Sequence, residues 1–258
     1  MLRNLRILNK SAVNAIDGEI GNVEDVYFDD VAWAIRYLVV DTGTWLTSRK
    51  VLISPYSVVS PLSSDAMINV SLTRAQVKDS PDIDTHKPVS RQHEHEYLRY
   101  YGYPIYWNTG GLWSMGEYPL MPPEALSQYG ERLEQRESDV NPEDAHLRSI
   151  KNVRGYHIEA SDGSIGHIDD FIFDVESWAI RYVLVDTSNW RPGCKKVLIA
   201  TNWIDSIDWL DRKAFTTLTR GAIEKSPPYD ESAILEREFE TRLHDSYSRK
   251  GYWNKDTK

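Results

Sequence analysis

The chain has 258 residues, which is enough for one large domain or for two small domains that each bury a core. Its formal charge is −9 with a pI near 5.3, and this acidic balance argues against non-specific binding to nucleic acid or to an anionic membrane, because both are polyanions. Cys194 is the only cysteine and no apolar stretch approaches the roughly 18 residues of a transmembrane helix, so we expect a cytoplasmic protein without an intrachain disulfide or an integral membrane segment.

The N-terminal part of the chain is predicted to form a series of short β-strands. β-branched and aromatic residues alternate with polar residues at a period of two, and Asp-Gly and Ser-Pro breaks separate the runs. The pattern predicts strands near 5–8, 12–16, 20–29, 33–41, 49–53, 56–60 and 66–72. Several short strands with no helical pattern between them predict an antiparallel barrel or sandwich.

A helix and an aromatic linker are predicted to follow these strands. RQHEHEYLRYYG predicts a helix near 90–101, in which His93 and His95 would lie on nearly opposite sides and could not share a metal ion. We therefore interpret this segment as a solvated, charged helix face. The sequence GGLWSMGEYPLMPP further along is rich in aromatic residues, glycine and proline. Its aromatic residues predict that this loop packs on one barrel or on a partner subunit.

The second half of the chain repeats the first. FDDVAWAIRYLVVDT begins at Phe28 and FDVESWAIRYVLVDT begins at Phe173, with ten of fifteen positions identical. After one inserted residue in WRPGCKK the match continues at an offset of 146 residues, and a weaker echo extends to Trp107 and Trp253. The repeat predicts further strands near 150–160, 165–174, 178–186, 196–200, 203–207 and 214–218.

This duplication predicts the domain organisation. It consists of a first barrel (1–82), a helix with an aromatic, Pro-rich linker (83–145), a second barrel (146–228) and a C-terminal helix with a tail (229–258). The C-terminal helix is predicted near 231–249 from an apolar stripe at helical spacing, formed by Ile234, Leu235, Phe239 and Leu243. The linker and this helix are natural dimer elements, so we expect a homodimer.

The order of motifs resembles the PRC-barrel family. The first repeat has DGEIGNVEDVYFD, WAIRYLVVDTG, KVLISPYSV and a terminal LT, and the second has DGSIGHIDDFIFD, WAIRYVLVDT and KVLIATNWI. The resemblance implies a mainly β protein with minor α structure, made of two tandem small antiparallel PRC-type β-barrels. It also implies docking, assembly or electrostatic tuning, and it supplies no catalytic residue.

Several functions follow from this resemblance as expectations. The first is a non-enzymatic protein-binding or assembly module with an unknown protein partner, either free or in peripheral association with a membrane complex. The alternative is an accessory protein like the H subunit of the photosynthetic reaction centre that tunes electron transfer, although that subunit's transmembrane helix has no counterpart here. Binding to RNA ranks last because the chain is acidic.

Arg36 and Arg181 are the leading candidates for a binding site, since each lies at the centre of the repeated strand. In one interpretation they contact an anion or a partner. In the other they form structural ion pairs with an aspartate, Asp29 or Asp41 in the first repeat and its counterpart in the second. Trp33 and Trp178 begin the same strand and favour barrel capping or packing between repeats. The candidate partner-surface residues are therefore Arg36, Arg181, Trp33 and Trp178.

No pattern in the sequence predicts an enzyme. Cys194 stands beside two lysines, which favours a thiolate, but no second cysteine or matching histidine accompanies it. A nucleophile elbow and a glycine-rich phosphate loop are both missing from the sequence. We therefore expect no catalytic residue, no metal site and no cofactor.

Overall fold

The computed structural model describes residues 1–46, 49–59, 67–83, 89–107, 111–114, 116–120, 146–188, 195–231 and 234–254. The chain is mainly β with few helices and divides into two compact units. The first unit comprises Ile7–Lys151 and Val175–Ala179, and the second comprises Met1–Arg6, Asn152–Asp174 and Ile180–Lys258. Within the described residues, no helix has the length and apolar character needed to cross a membrane. Cys194 lies outside the described residues.

The first unit is built on one sheet around the long, twisted strand β3. Its strands are β2 (Ala12–Ala15), β3 (Gly18–Asp29), β4 (Ala34–Asp41), β5 (Lys50–Ile53), β6 (Met67–Asn69) and β7 (Leu147–Ser149). They are hydrogen-bonded in the order β5-β4-β3-β2-β6, and β7 pairs with the C-terminal part of β3. The predicted strand near 5–8 is a 3-10 helix, Leu5–Leu8, and the one near 56–60 is largely another, Pro55–Ser57.

The sheet of the first unit is mixed rather than purely antiparallel. β2 and β6 run parallel, with Ala12 opposite Met67, whereas the other pairs are antiparallel. The hydrogen-bonded path is open, with β5 and β6 at its two ends. Pro55–Ser57 carries the chain on from β5, and Val58 then forms an isolated bridge to Val70 just after β6. The sheet therefore curls back on itself without closing through regular strand pairing.

The second unit repeats this plan. Its strands are β1 (Leu2–Asn4), β8 (His157–Ala160), β9 (Gly163–Asp174), β10 (Ile180–Asp186), β11 (Lys196–Ala200), β12 (Ile204–Asp208) and β13 (Lys213–Thr216). The order is β11-β10-β9-β8-β13-β12, with β1 on the C-terminal part of β9 and a parallel pair between β8 and β13. Because β1 pairs with β9 and β7 with β3, a single linear boundary at residue 146 does not describe the two units.

In the part of the chain that the structure describes, five short α-helices accompany the sheets. They are α1 (Arg74–Lys78), α2 (Arg91–Tyr101), α3 (Ile150–Val153), α4 (Arg220–Lys225) and α5 (Arg237–Ser246). The predicted helix near 90–101 is confirmed as α2, with Ser90 as its N-cap and Gly102 in the left-handed conformation at its end. The C-terminal helix starts later than predicted, at Arg237, so Ile234 lies before it and is 62% exposed.

One repeated glycine permits a close backbone approach between neighbouring strands. Gly21 in β3 has φ +154°, and a Cβ atom there would lie 2.0 Å from the carbonyl oxygen of Asp41 at the end of β4. Gly166 in β9 has φ +158°, and a Cβ atom there would lie 2.2 Å from the carbonyl oxygen of Asp186 at the end of β10. Only glycine fits where the two backbones come this close, which explains why both repeats keep it.

Candidate binding site

Arg36 occupies a β-bulge in strand β4. Between two adjacent residues of β3 the pairing moves from Tyr37 to Ile35, so Arg36 is the extra residue on β4. The second repeat has the same bulge, because the pairing with β9 moves from Tyr182 to Ile180 across Arg181. A bulge re-aims side chains relative to simple alternation. Arg36 is only 2% exposed, which corrects its interpretation as a partner-surface residue.

Arg36 is fixed from several sides within the first unit. Its Nη2 lies 3.4 Å from Asp29 Oδ2, and its Nη1 donates a 2.7 Å hydrogen bond to the carbonyl oxygen of Leu112. Its Cζ lies 3.7 Å from the ring centre of Tyr106 and 4.7 Å from that of Trp113. The structural interpretation, an ion pair with Asp29, is thus confirmed for Arg36.

The helix α2 brings a buried carboxylate to the same place. Glu94 is fully buried and accepts hydrogen bonds from Arg91 Nη1 at 3.0 Å, from the Tyr37 hydroxyl at 3.3 Å and from the Tyr106 hydroxyl. An ion pair alone would lower the pKa of Glu94, but burial outweighs it and raises that pKa, while Arg91 offsets part of the shift. Since His95 is also buried, the solvated-face interpretation is wrong for Glu94 and His95, whereas Glu96 is exposed.

An aromatic segment of the linker covers this cluster. Trp113 is 1% exposed, and its indole N–H donates a 2.8 Å hydrogen bond to the carbonyl oxygen of Ser177. Its ring packs edge-on against Tyr56 at 4.9 Å, and Tyr56 in turn lies 5.4 Å from Tyr103. The prediction that the aromatic loop packs on the folded chain is confirmed for its described part. We call Arg36, Tyr37, Arg91, Glu94, Tyr106 and Trp107 the first cluster.

The second unit contains a matching buried carboxylate, Glu240 on α5. It accepts hydrogen bonds from the Tyr182 hydroxyl at 2.8 Å and the Tyr252 hydroxyl at 3.0 Å, and its Oε2 lies 2.9 Å from Arg237 Nη1. Burial raises the pKa of Glu240, as it does that of Glu94. The arrangement of one carboxylate, two tyrosines and one arginine is therefore the same in both units.

The cation–aromatic contacts also recur. Arg181 Cζ lies 4.3 Å from the ring centre of Tyr252, and Arg237 Cζ lies 4.2 Å from that of Trp253. These contacts match those of Arg36 with Tyr106 and of Arg91 with Trp107 in the first unit. We call Arg181, Tyr182, Arg237, Glu240, Tyr252 and Trp253 the second cluster.

One histidine distinguishes the second cluster from the first. His244 occupies the position of Leu98, with its Nε2 3.0 Å from the Tyr182 hydroxyl and its Nδ1 3.0 Å from the carbonyl oxygen of Lys250. A carbonyl only accepts, so Nδ1 carries a proton in this hydrogen bond. Burial lowers the pKa of His244, which favours its neutral form.

Comparison with known protein families identifies the first repeat. The family model of the PRC-barrel domain matches residues 4–71. Residues 4–71 form a PRC-barrel domain. None of the curated proteins compared with the chain matches its sequence. The match covers the strands β2 to β6, whereas α2, Tyr106 and the linker segment with Trp113 lie beyond the PRC-barrel domain.

The four predicted surface residues lie in different environments within their own units. Arg36 and Trp178 are buried, so neither offers an accessible surface, which corrects the partner-surface interpretation for both. Arg181 and Trp33 are half-buried, and Trp33 stacks on Phe28 with ring centres 5.5 Å apart. Among the described residues, no group of three or more His, Cys, Asp or Glu side chains is placed to hold a metal ion.

The sequence predicts both helices and aligns Trp107 with Trp253, but it does not indicate that each helix and its Tyr-Trp pair complete a cluster around the arginine. The signal was present in the repeat, because the offset of 146 residues continues beyond the PRC-barrel domain. It aligns RQHE at Arg91 with REFE at Arg237, and the Tyr-Trp pair at Tyr106 with the one at Tyr252. Each repeat therefore consists of a β-sheet together with its own helix and aromatic pair.

Proposed function

We propose that the chain is a non-enzymatic protein-binding module and that the second cluster is its contact surface for a partner protein. The supporting observation is that equivalent residues are covered in the first unit and uncovered in the second. The side chain of Arg91 is 8% exposed, whereas that of Arg237 is 53% exposed. Tyr56 is buried beneath Trp113, whereas its counterpart Asn202 is exposed.

The chemistry of the second cluster suits a protein interface. Arginine, tyrosine and tryptophan are the residue types that most often dominate binding energy at such interfaces. Here Tyr252 and Trp253 are half-buried, and the guanidinium groups of Arg181 and Arg237 are stacked on them. Side chains that are already held in place lose little conformational entropy on binding, which favours affinity.

Affinity purification from the host tests this function. The tagged chain, an Arg181→Ala/Arg237→Ala double variant and an Arg242→Ala control are compared by quantitative mass spectrometry. Arg242 is exposed on the same helix and its guanidinium lies over Phe239 rather than over Tyr252 or Trp253. We expect a defined set of proteins that co-purifies with the wild type and the control and is lost from the double variant. Identical sets from all three proteins would contradict the proposal, provided that circular dichroism shows all three folded.

Three expectations from the sequence stay predictions. They are the cytoplasmic location, the homodimer and the accessory role in photosynthetic electron transfer, the last of which rests on family resemblance alone. A monomer mass from light scattering over a broad concentration range would contradict the homodimer.

A further inference from the structure

We propose that the second cluster binds a tryptophan-containing peptide segment of another protein, in the way that the first cluster holds Leu112 and Trp113. This inference rests on the proposed function and names the chemistry of the partner. The ligand would supply two adjacent groups, a free main-chain carbonyl and, on the next residue, an indole ring.

The first cluster shows how such a segment is recognised. The carbonyl oxygen of Leu112 accepts the 2.7 Å hydrogen bond from Arg36, and the ring of the following residue, Trp113, lies 4.7 Å from the same guanidinium. Trp113 also packs edge-on against Tyr56 at 4.9 Å and against Tyr106 at 6.3 Å. One arginine thus binds the carbonyl and the indole together, while tyrosines form the rest of the wall.

The second cluster keeps the recognising groups. Arg181 occupies the bulge equivalent to that of Arg36. Its Cζ lies 4.3 Å from the ring centre of Tyr252, as the Cζ of Arg36 lies 3.7 Å from that of Tyr106. Among the described residues, Nε of Arg181 is shielded from water without a hydrogen-bond partner. Nε of Arg36 is buried without a partner in the same way, because the carbonyl oxygen of Leu112 is bound by Nη1 of that arginine; the donor with which Arg181 would bind a ligand carbonyl is therefore its own Nη1 group.

The space that Trp113 fills in the first unit is uncovered in the second. Two residues of the first unit's aromatic wall, Tyr56 and Tyr103, are buried. Their counterparts at the offset of 146 residues, Asn202 and Arg249, are exposed. The segment that carries Trp113 belongs to the linker, which the duplication does not repeat. Because that single copy already lies on the first cluster, the occupant of the second comes from another protein.

A labelled peptide tests the inference directly on the full chain. The probe is fluorescein-labelled GGLWSMGE, which reproduces residues 110–117, and the readout is fluorescence anisotropy. We expect saturable binding that weakens at least tenfold when the tryptophan of the peptide is replaced with alanine. We expect the same loss with the Arg181→Ala/Arg237→Ala double variant and no change with Arg242→Ala.

Three results of the peptide assay would overturn the inference. They are the absence of saturation up to about 1 mM peptide, equal binding of the tryptophan-to-alanine peptide, and unchanged binding to the double variant, which would place the peptide elsewhere. Concentration-dependent self-association that the double variant loses would also overturn it, because the occupant would then be a second copy of this chain.

Failure of the inference and failure of the proposed function are distinguishable. If the double variant loses its co-purifying proteins but the wild type does not bind the peptide, the binding function stands and the tryptophan chemistry is wrong. If the peptide binds at the second cluster but the co-purifying proteins are unchanged, the site is confirmed as a tryptophan-peptide site and the proposed cellular function fails.

Discussion

Replacing Arg36 with alanine is expected to destabilise the chain far more than replacing Arg181, although the two arginines occupy the same position in the two repeats. Arg36 is 2% exposed, pairs with the buried Asp29 and donates to the carbonyl oxygen of Leu112. Arg181 is half-buried, and its guanidinium lies over the ring of Tyr252. The same substitution therefore removes very different sets of contacts.

The expected magnitudes follow from those contacts. Removing one partner of a buried ion pair costs about 3–5 kcal/mol, because the other charge is left in the interior. Asp29 keeps the amide hydrogen bonds of Val31 and Ala32, both at 3.0 Å, which places Arg36→Ala near the lower limit, about 3 kcal/mol. Loss of the cation–aromatic contact of Arg181 costs about 0.5–1 kcal/mol. The two variants should differ by about 2 kcal/mol.

Urea unfolding, followed by far-ultraviolet circular dichroism and by tryptophan fluorescence, measures this difference. Arg242→Ala serves as the control, and we expect its free energy of unfolding to lie within about 0.5 kcal/mol of the wild type. Equal losses for Arg36→Ala and Arg181→Ala would refute the argument that one cluster is covered and the other open. A loss below about 1 kcal/mol for Arg36→Ala would refute the buried ion pair itself.

Three further predictions use the same unfolding assay. Trp113→Ala should cost about 3–5 kcal/mol because it removes a fully buried indole, and a loss below about 1 kcal/mol would show that the linker does not cover the first cluster. Because burial lowers the pKa of His244, this side chain binds less of a proton in the folded chain than in the unfolded chain as pH falls below about 6.5, so the wild type should lose stability relative to His244→Leu between about pH 7 and pH 5. An equal pH dependence of stability in the wild type and in His244→Leu would assign the loss of stability to other titratable groups. Gly21→Ala should lower the free energy of unfolding by about 2 kcal/mol or more, because the new Cβ would lie 2.0 Å from a carbonyl oxygen. Gly43→Ala should lower it less, because there is open space around Gly43. Equal losses for the two variants would argue against the close approach at Gly21.

The sequence predicted the strands well where a period of two coincides with a turn signal. Asp-Gly turns and alternating apolar residues located β3, β4 and β5 and their counterparts in the second repeat. The same pattern gave no sign that β2 and β6 run parallel, because alternation describes the faces of a strand and not its partner or direction. It also missed the pairing of β1 with β9 and of β7 with β3, since three-residue strands are too short to show a period.

The environment of Arg36 could not be predicted from periodicity for a different reason. Ile35, Arg36 and Tyr37 read as simple alternation, which places the arginine on the outer face of the sheet. The bulge shifts the register by one residue, and α2 and the linker then cover that face. The charges of α2 alone predict a solvated helix, because its partners Tyr106 and Trp107 lie later in the chain and meet it only after folding.

Stability alone does not account for the presence of an ionic cluster in both units. A buried carboxylate costs free energy, which is why burial raises the pKa of Glu94 and of Glu240, and well-packed apolar residues of similar volume are often at least as stable. What such a cluster provides is orientation, because two tyrosine hydroxyls and an arginine converge on each carboxylate. In the first unit the tyrosine held in this way stacks on Arg36, which in turn binds the linker through the carbonyl of Leu112. The second unit has the same contacts around Glu240, although Arg237 is exposed and Tyr252 and Trp253 are half-buried. These contacts would orient the three side chains for a ligand that binds there.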